Sequence, residues 1–451
     1  MDTFPNDQTA DLGLLQDLMK QAKSLGADQA DAIFIRSTSL SLGQRLGKPE
    51  SLERSENADV GLRVLLGKRQ AIVSSSDFSA PALKELSERA VSMAKVVPED
   101  PYAGLAEADQ LATNPIEIDA FDPAEPAADL LKERARLAEE AALAVEGVTN
   151  SEGAEAGWGM SRISVAATNG FAETYSGSRH SVSVAVVAGT GDAMEVDYDY
   201  ASTVYGEDLE DPAKIGTSAG TKAVRRLNPA KAKTASVPVI YDPRVARSLV
   251  GHLSSAINGS SIARGTSFLK DAMDTDVFGA HVTITDDPHR HRGLRSMPFD
   301  AEGLATVKRN VIDSGRLTTW FLDLRSARQL GLTSTGHAGR GTSSPPSPSA
   351  SNLFMQPGDK TPGELMADIE AGLYITDMMG MGINGVTGDY SRGASGFWIE
   401  NGELAYPVSE VTVAGNLKDM FKVLIPANDL VFRYGTDAPT IRVDGMTVAG
   451  A

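Results

Sequence analysis

The sequence predicts an α+β protein in two parts: an N-terminal α/β layer domain over residues 1–230 and a strand-rich C-terminal domain over residues 231–451. Three observations lead there. Short alternating strands follow an amphipathic helix near the start. A polar run, Ala230 to Ser236, follows a helix stop at Asn228-Pro229. Beyond it, strands joined by tight turns dominate. A chain of 451 residues suits two or three domains of ~100–200 residues each.

The elements follow in order. Asp11 to Leu25 places Leu12, Leu15, Leu18, Met19 and Ala22 at spacings of three and four, and Gly26 stops it. Ala32 to Leu42, Leu52 to Glu56, Val60 to Leu66 and Gln70 to Ser74 read as short strands, with Gly43, Gly47-Lys48-Pro49 and Gly67 between them. Ser79-Ala80-Pro81 opens a second helix, with Leu83, Leu86, Ala90, Met93 and Val97 on one face. Pro98 to Pro126 is a connecting loop rich in Pro, Asp and Glu, and Asp129 to Val145 is a third helix. Ile163–Thr168, Phe171–Tyr175, Ser181–Val187 and Met194–Thr203 alternate as strands, with Asn169-Gly170 as a hairpin signal. A fourth helix spans Asp211 to Leu227. The second part starts with a strand at Val237–Tyr241 and a helix from Pro243 to about Ile257. Tight turns at Asp313-Ser314-Gly315 and Asn401-Gly402 mark later strands. The run Gly339 to Ser351 is low in complexity and reads as an extended loop or lid.

Composition removes several function classes. The 60 acidic against 42 basic residues give a net charge of −18, which opposes a nucleic-acid backbone binder. The one basic stretch, His289-Arg290-His291-Arg292 with Arg295, is a small footprint, read as a solvated loop. There are no cysteines, so disulfides, thiolate metal sites and Cys nucleophiles are excluded. The polar start, Met1 to Ala10, has no apolar leader core, and no stretch approaches a ~20-residue membrane span, so a cytoplasmic location is expected.

Few motifs carry chemistry. Gly380-Met381-Gly382-Ile383-Asn384-Gly385 fits GxGxxG, but Val386 to Gly393 shows no helical period, so it reads as a loop rather than a dinucleotide site. None of the six histidines (180, 252, 281, 289, 291 and 337) is followed by Glu, so HExxH is absent. His289 and His291 could begin a two-ligand set on a strand. His252 and Ser248 stand four apart on a helix, without an oriented third group. His252 is nevertheless the place to look if the chain is a hydrolase acting alone.

Val250 to Leu269, Tyr374 to Pro407 and Pro439 to Gly450, with Asn150-Ser151-Glu152-Gly153 and the Asn169-Gly170-Phe171 turn, resemble the TldD/PmbA family, also called modulators of DNA gyrase. The likeness runs over nearly the whole chain and favours the PmbA/TldE-type branch. It implies a TldD/PmbA-like fold and a heterodimer with a TldD-type zinc peptidase chain, whose HExxxH helix and a cysteine hold the metal. Anchored without gaps on Gly265-Thr266-Ser267-Phe268, that motif falls on Val250, Gly251 and Ser255. The cysteine is absent, and the interval Asp429 to Pro439 where it would lie is short. The resemblance therefore implies no catalytic residue and no metal in this chain, with zinc expected in the partner. Pro348-Ser349-Ala350-Ser351-Asn352 lacks the Arg expected after the proline. Unfolded peptide as substrate and a possible homodimer in the partner's absence are further implications; membrane and nucleic acid are not expected. Thr387, Asp389, Tyr390 and Ser391 are the side chains expected to face partner or peptide. A gyrase- or nucleic-acid-associated role is the remaining alternative.

Overall fold

The structure, a computed structural model, describes residues 8–450. Most of the polar segment read for a leader lies outside them. Helix α1 (Gln8–Ser24) buries Leu15, Leu18, Met19 and Ala22, the stripe its sequence predicts. Strands β1 (Gln29–Arg45), β2 (Lys48–Leu66) and β3 (Arg69–Ser75), helices α2 (Ala80–Val96) and α3 (Ala128–Leu143), strands β4 (Val148–Ala167), β5 (Ala172–Ala188) and β6 (Glu195–Thr203), and helix α4 (Pro212–Arg225) complete the first half. The six strands form one antiparallel sheet in the order β3-β2-β1-β4-β5-β6. Helices α1 and α2 cover one end of one face, and α3 and α4 cover the other end. The opposite face carries Ile33, Leu65, Val165 and Phe171, closed by Phe299 from the second half. Phe299 stands edge-on to Phe171 and Tyr175, with ring centroids 5.0 and 5.2 Å away.

The strands are longer than the sequence suggests. Leu52–Glu56 and Val60–Leu66 belong to one 19-residue strand, whose first ten residues are exposed. Asn57-Ala58-Asp59 between them suggests a turn by composition, but the ladder to β1 runs in register from Leu65↔Gln29 to Ser51↔Gly43 and keeps them in the strand. Ile163–Thr168 is only the end of β4, and the two segments around Gly177 are one strand, β5. Interior glycines at 157, 159 and 177 mask these strands. Pairing on both sides supplies the order that propensity does not.

The second half runs β7 (Ala235–Tyr241), α5 (Pro243–Ala256), α6 (Gly259–Ala263), β8 (Ile284–Asp286), β9 (Arg309–Asp313), β10 (Arg316–Leu317), α7 (Leu324–Leu330), β11 (Ala338–Gly339), β12 (Ser347–Pro348), β13 (Leu353–Met355), α8 (Pro362–Met366), β14 (Ala371–Met379), β15 (Asp389–Glu400), β16 (Glu403–Asn416), α9 (Leu417–Val423), β17 (Ile425–Pro426), β18 (Thr436–Asp437) and β19 (Ile441–Ala449). One sheet has the order β16-β15-β14-β7-β19-β17, and a further β16–β19 pairing curls it toward a barrel. A second sheet has the order β10-β9-β8-β13-β18. Helix α5 lies in the core shared by both, through Val245, Ala246, Leu249, Val250, Leu253 and Ala256.

The Gly339–Ser351 run is not a lid. β11 and β12 pair within it, and Arg340 is buried against Asp31 of β1, which also accepts from Arg63 of β2. Thr342 packs so closely on Gly61 that a Cβ there would lie 2.0 Å from its carbonyl oxygen. A segment too polar to form a core is held instead by a buried ion pair and by backbone contact with the N-terminal sheet.

Candidate functional site

The region matching the peptidase motif is helix α5 with the β14–β15 hairpin beside it. Asp242 caps α5 by accepting from the Arg244 N–H at 3.0 Å, and Pro243 fits the first turn. The Tyr374 hydroxyl donates to the same carboxylate at 2.9 Å. Arg244 reaches across to Asp197 of β6, at 2.6 Å, and ties α5 to the N-terminal sheet.

Of the matched positions, Val250 is fully buried and its isopropyl group is part of the core. Gly251 offers no side chain. Ser255 is exposed and donates to its own helix, at the Gly251 carbonyl, 3.1 Å away. An isopropyl group, a hydrogen and a turned-back hydroxyl do not fit a zinc site. Among the described residues, no group of three or more His, Asp or Glu side chains is placed to hold a metal ion.

The Ser248–His252 pair does not form: Ser248 donates back to the Val245 carbonyl at 2.6 Å. His252 turns instead toward β15, its ring edge-on to Tyr390 at 6.0 Å between centroids. Burial, with Arg392 nearby, lowers its pKa to about 4, so the imidazole is neutral near pH 7. Tyr241 and Arg392 complete this buried polar group, and His252 Nε2 has no hydrogen-bond partner among the described residues. Neither Tyr241 nor Arg392 was legible in the sequence, since both are ordinary strand residues until β7 and β15 share a sheet.

The glycine-rich segment is a folded turn between strands, and no helix follows it, as its lack of period predicts. Asn384 Oδ1 accepts from the Val386 and Thr387 N–H groups, the Ser391 N–H donates to the Gly382 carbonyl, and the Phe268 N–H donates to the Gly385 carbonyl. A Cβ on Gly382 would lie 1.8 Å from the Ser391 oxygen, so glycine is required there for close backbone approach. Thr387, Asp389 and Ser391 are exposed; Thr387 donates to Asp389 at 2.6 Å, and Asn416 donates to it at 3.0 Å. Tyr390 is the exception: it points inward, 2% exposed, and its hydroxyl lies 3.5 Å from Met378 Sδ. Strand alternation sends residue 390 to the core face while 389 and 391 face out. Tyr390 is therefore a core residue and cannot touch a partner. Met379, Met381 and Val386 are exposed on the same turn.

The histidines do not converge. His289 Nε2 lies 2.9 Å from Thr306 Oγ1, while His291 faces Asp119 at 3.6 Å, so the HxH pair diverges. His337 is buried against Asp286, and His180 against Asp122. The basic stretch is half-buried rather than a fully solvated loop. Arg292 is bound by Asp119, Glu207 and Asp208, so it presents no cationic face for phosphates.

Comparison with known proteins accords with this geometry. Residues 30–94, 121–227 and 234–450 match, in turn, domain 1, the central domain and the C-terminal domain described for the PmbA/TldA metallopeptidases. The chain belongs to the PmbA/TldD family. It is 36% identical to the metalloprotease PmbA of Escherichia coli O157:H7 over 442 residues, covering 97% of this chain and 96% of that one. It is also 36% identical to a PmbA homolog of Haemophilus influenzae over 455 residues, covering 98% and 99%. A crystal structure of a Bacteroides thetaiotaomicron protein described as a modulator of DNA gyrase superposes with a TM-score of 0.91 at 27% identity, over 99% of this chain and 100% of that one. TldE of Thermococcus kodakarensis shares the fold, with a TM-score of 0.87 at 20% identity over 97% and 100%. The chain is thus a metalloprotease-related member of this family. Among the described residues, no helix is long and apolar enough to cross a membrane.

Proposed function

We propose that this chain is the non-catalytic subunit of a heterodimeric zinc peptidase that degrades or matures unfolded peptides in the cytoplasm. A TldD-type partner supplies the metal and the general base. The observation that carries this reading is the donor set of α5: a core valine, a glycine and a self-bonded serine stand where the motif requires His, Glu and His. Without donors, nothing polarises a scissile carbonyl or lowers the pKa of an attacking water. The β14–β15 turn supports a contact role, because it presents Thr387, Asp389 and Ser391 beside the exposed Met379, Met381 and Val386. Backbone-led, strand-like capture of unfolded peptide needs such accessible main chain and little side-chain selection. Two related chains pairing pseudo-symmetrically would bury matching surfaces, and a homodimer can stand in when the partner is missing.

The test is zinc content together with cleavage of an unfolded peptide, by this chain alone and mixed with a TldD-type chain. The expected result is no stoichiometric zinc and no cleavage alone, with cleavage in the mixture exceeding that of the partner by itself. Steady cleavage or stoichiometric zinc in the isolated chain overturns the proposal.

A further inference from the structure

A cleft of about 320 Å³ opens between the end of β6 and two C-terminal loops, one around Arg290 and the other leading into β18. Its volume is at the lower end of the range for small-ligand sites, ~300–1,000 Å³. Arg290, Leu294, Phe432 and Gly435 line it, as do Arg292, Arg433 and Asp437. The charges there are not equivalent. Arg292 is held by Asp119, Glu207 and Asp208. Arg433 pairs with Glu210 at 3.1 Å and with Asp199 at 3.7 Å. Asp437 is wrapped by the backbone N–H groups of Arg433, Tyr434 and Gly435, at 2.9, 2.9 and 3.1 Å. Asp287, the other carboxylate near Arg290, already pairs with Lys308 at 3.0 Å.

Arg290 is left over. Its guanidinium is half-buried and makes no ion pair or side-chain hydrogen bond among the described residues. Its Cζ sits over Phe432, 3.8 Å from the ring centroid, and Phe432 is itself fixed edge-on against Phe354. One face of the fork is therefore stacked and its edge is free to donate, the arrangement that receives a planar two-oxygen acceptor. Asp437 and Asp287 are the opposite charges nearest to Arg290, and neither is ion-paired with it; with Asp208 also in the wall, so much negative charge suits a monoanion better than a phosphate dianion.

We propose that this cleft binds a carboxylate, held by the Arg290 fork, with the adjoining apolar part of the ligand against Leu294 and Phe432. A peptide C-terminus and a free small carboxylate share this chemistry. No α5 residue lines the cleft, although Arg247 of α5 stacks on Tyr434 in its wall, and every lining residue belongs to this chain, so the site can be tested on the purified full chain.

Calorimetric titration would use N-acetyl-dialanine as the free acid, the same dipeptide as its C-terminal amide, acetate and inorganic phosphate. The free acid is expected to bind. The amide is expected to bind at least about tenfold more weakly, since one charge-assisted contact is lost. Arg290→Gln is expected to lose a similar factor for the acid and nothing for the amide. Arg290→Lys, which keeps the charge but not the fork, is expected to fall between the two, with thermal melting confirming the fold of each variant. Dipeptide acid binding well above acetate assigns a peptide end; equal binding assigns a small free carboxylate. Equal affinity for acid and amide in the wild-type chain overturns the proposal whether or not the variants fold. Phosphate binding tighter than carboxylate, no binding at millimolar ligand, or undiminished binding in folded Arg290→Gln also overturns it.

Discussion

Substituting Glu302 by Gln should stabilise the protein at alkaline pH and flatten its pH dependence. Glu302 lies in the turn that follows Asp300, and its carboxylate accepts the Leu324 N–H at 2.8 Å. Both acids are buried at the junction with the N-terminal sheet, where Arg63 faces the carboxylates of Asp31, Glu302 and Asp323, Arg340 pairs with Asp31, and His337 stands near Asp300. Two positive charges cannot balance four negative ones in a dry site, so a proton is retained. Burial, followed by the neighbouring Asp300, pushes Glu302 from 4.5 up to about 8, and burial pushes Asp300 up to about 6. The folded state thus holds a proton that the unfolded chain releases. The stability contributed by Glu302 is full below the unfolded value of 4.5 and is lost as pH rises from there through about 8. At 1.36 kcal/mol per tenfold change in proton affinity, the full loss from Glu302 is bounded at ~5 kcal/mol. Sharing with Asp300 and local relaxation bring the expected difference to about 2–4 kcal/mol. The substituted amide keeps an oxygen for the Leu324 N–H and is neutral at every pH. Urea unfolding at about pH 5 and about pH 8.5 should show the wild type losing more stability than Glu302→Gln, which keeps only the loss from Asp300. A wild type equally stable at both values, or a Glu302→Gln variant with an unchanged slope, refutes the reasoning.

Further outcomes are expected. His252 should stay neutral down to about pH 4, visible as a late imidazole transition by NMR. Because its folded pKa is depressed, it contributes a loss of stability as pH falls from 6.5 toward 4, which His252→Phe should remove. Gly61→Ala should drive a methyl into the Thr342 backbone, lowering stability by about 1–3 kcal/mol and exposing the 339–351 segment to limited proteolysis; an unchanged cleavage pattern would contradict the docked loop. Tyr390→Ala should destabilise by about 3–5 kcal/mol in denaturant titration, as for a large core ring. Asp389→Ala, on an exposed turn, should stay within about 1 kcal/mol of wild type, so any loss of complex formation with a TldD-type chain would report contact rather than folding.

By itself the sequence determined the five long helices (though not the short α6 to α9), the hairpin at Asn169-Gly170 and the family. Each depends on local chemistry: apolar spacing, an early proline, a two-residue turn or a run of matching motif residues. It also determined that α5 lacks the ligands, because identity alone decides whether a residue can bind zinc. Tertiary structure decided everything that depends on what lies opposite. It joined segments interrupted by glycines or by Asn57-Ala58-Asp59 into strands of 17 to 20 residues, because ladder partners rather than propensity hold them. It turned Tyr390 inward, because strand phase is set by the sheet it joins. It pinned the polar 339–351 segment through Arg340 and Asp31, which lie 309 positions apart in the chain. It left Arg290 without a direct ion pair while pairing Arg292 two residues away, because charges pair by distance in space, and no local pattern records that distance.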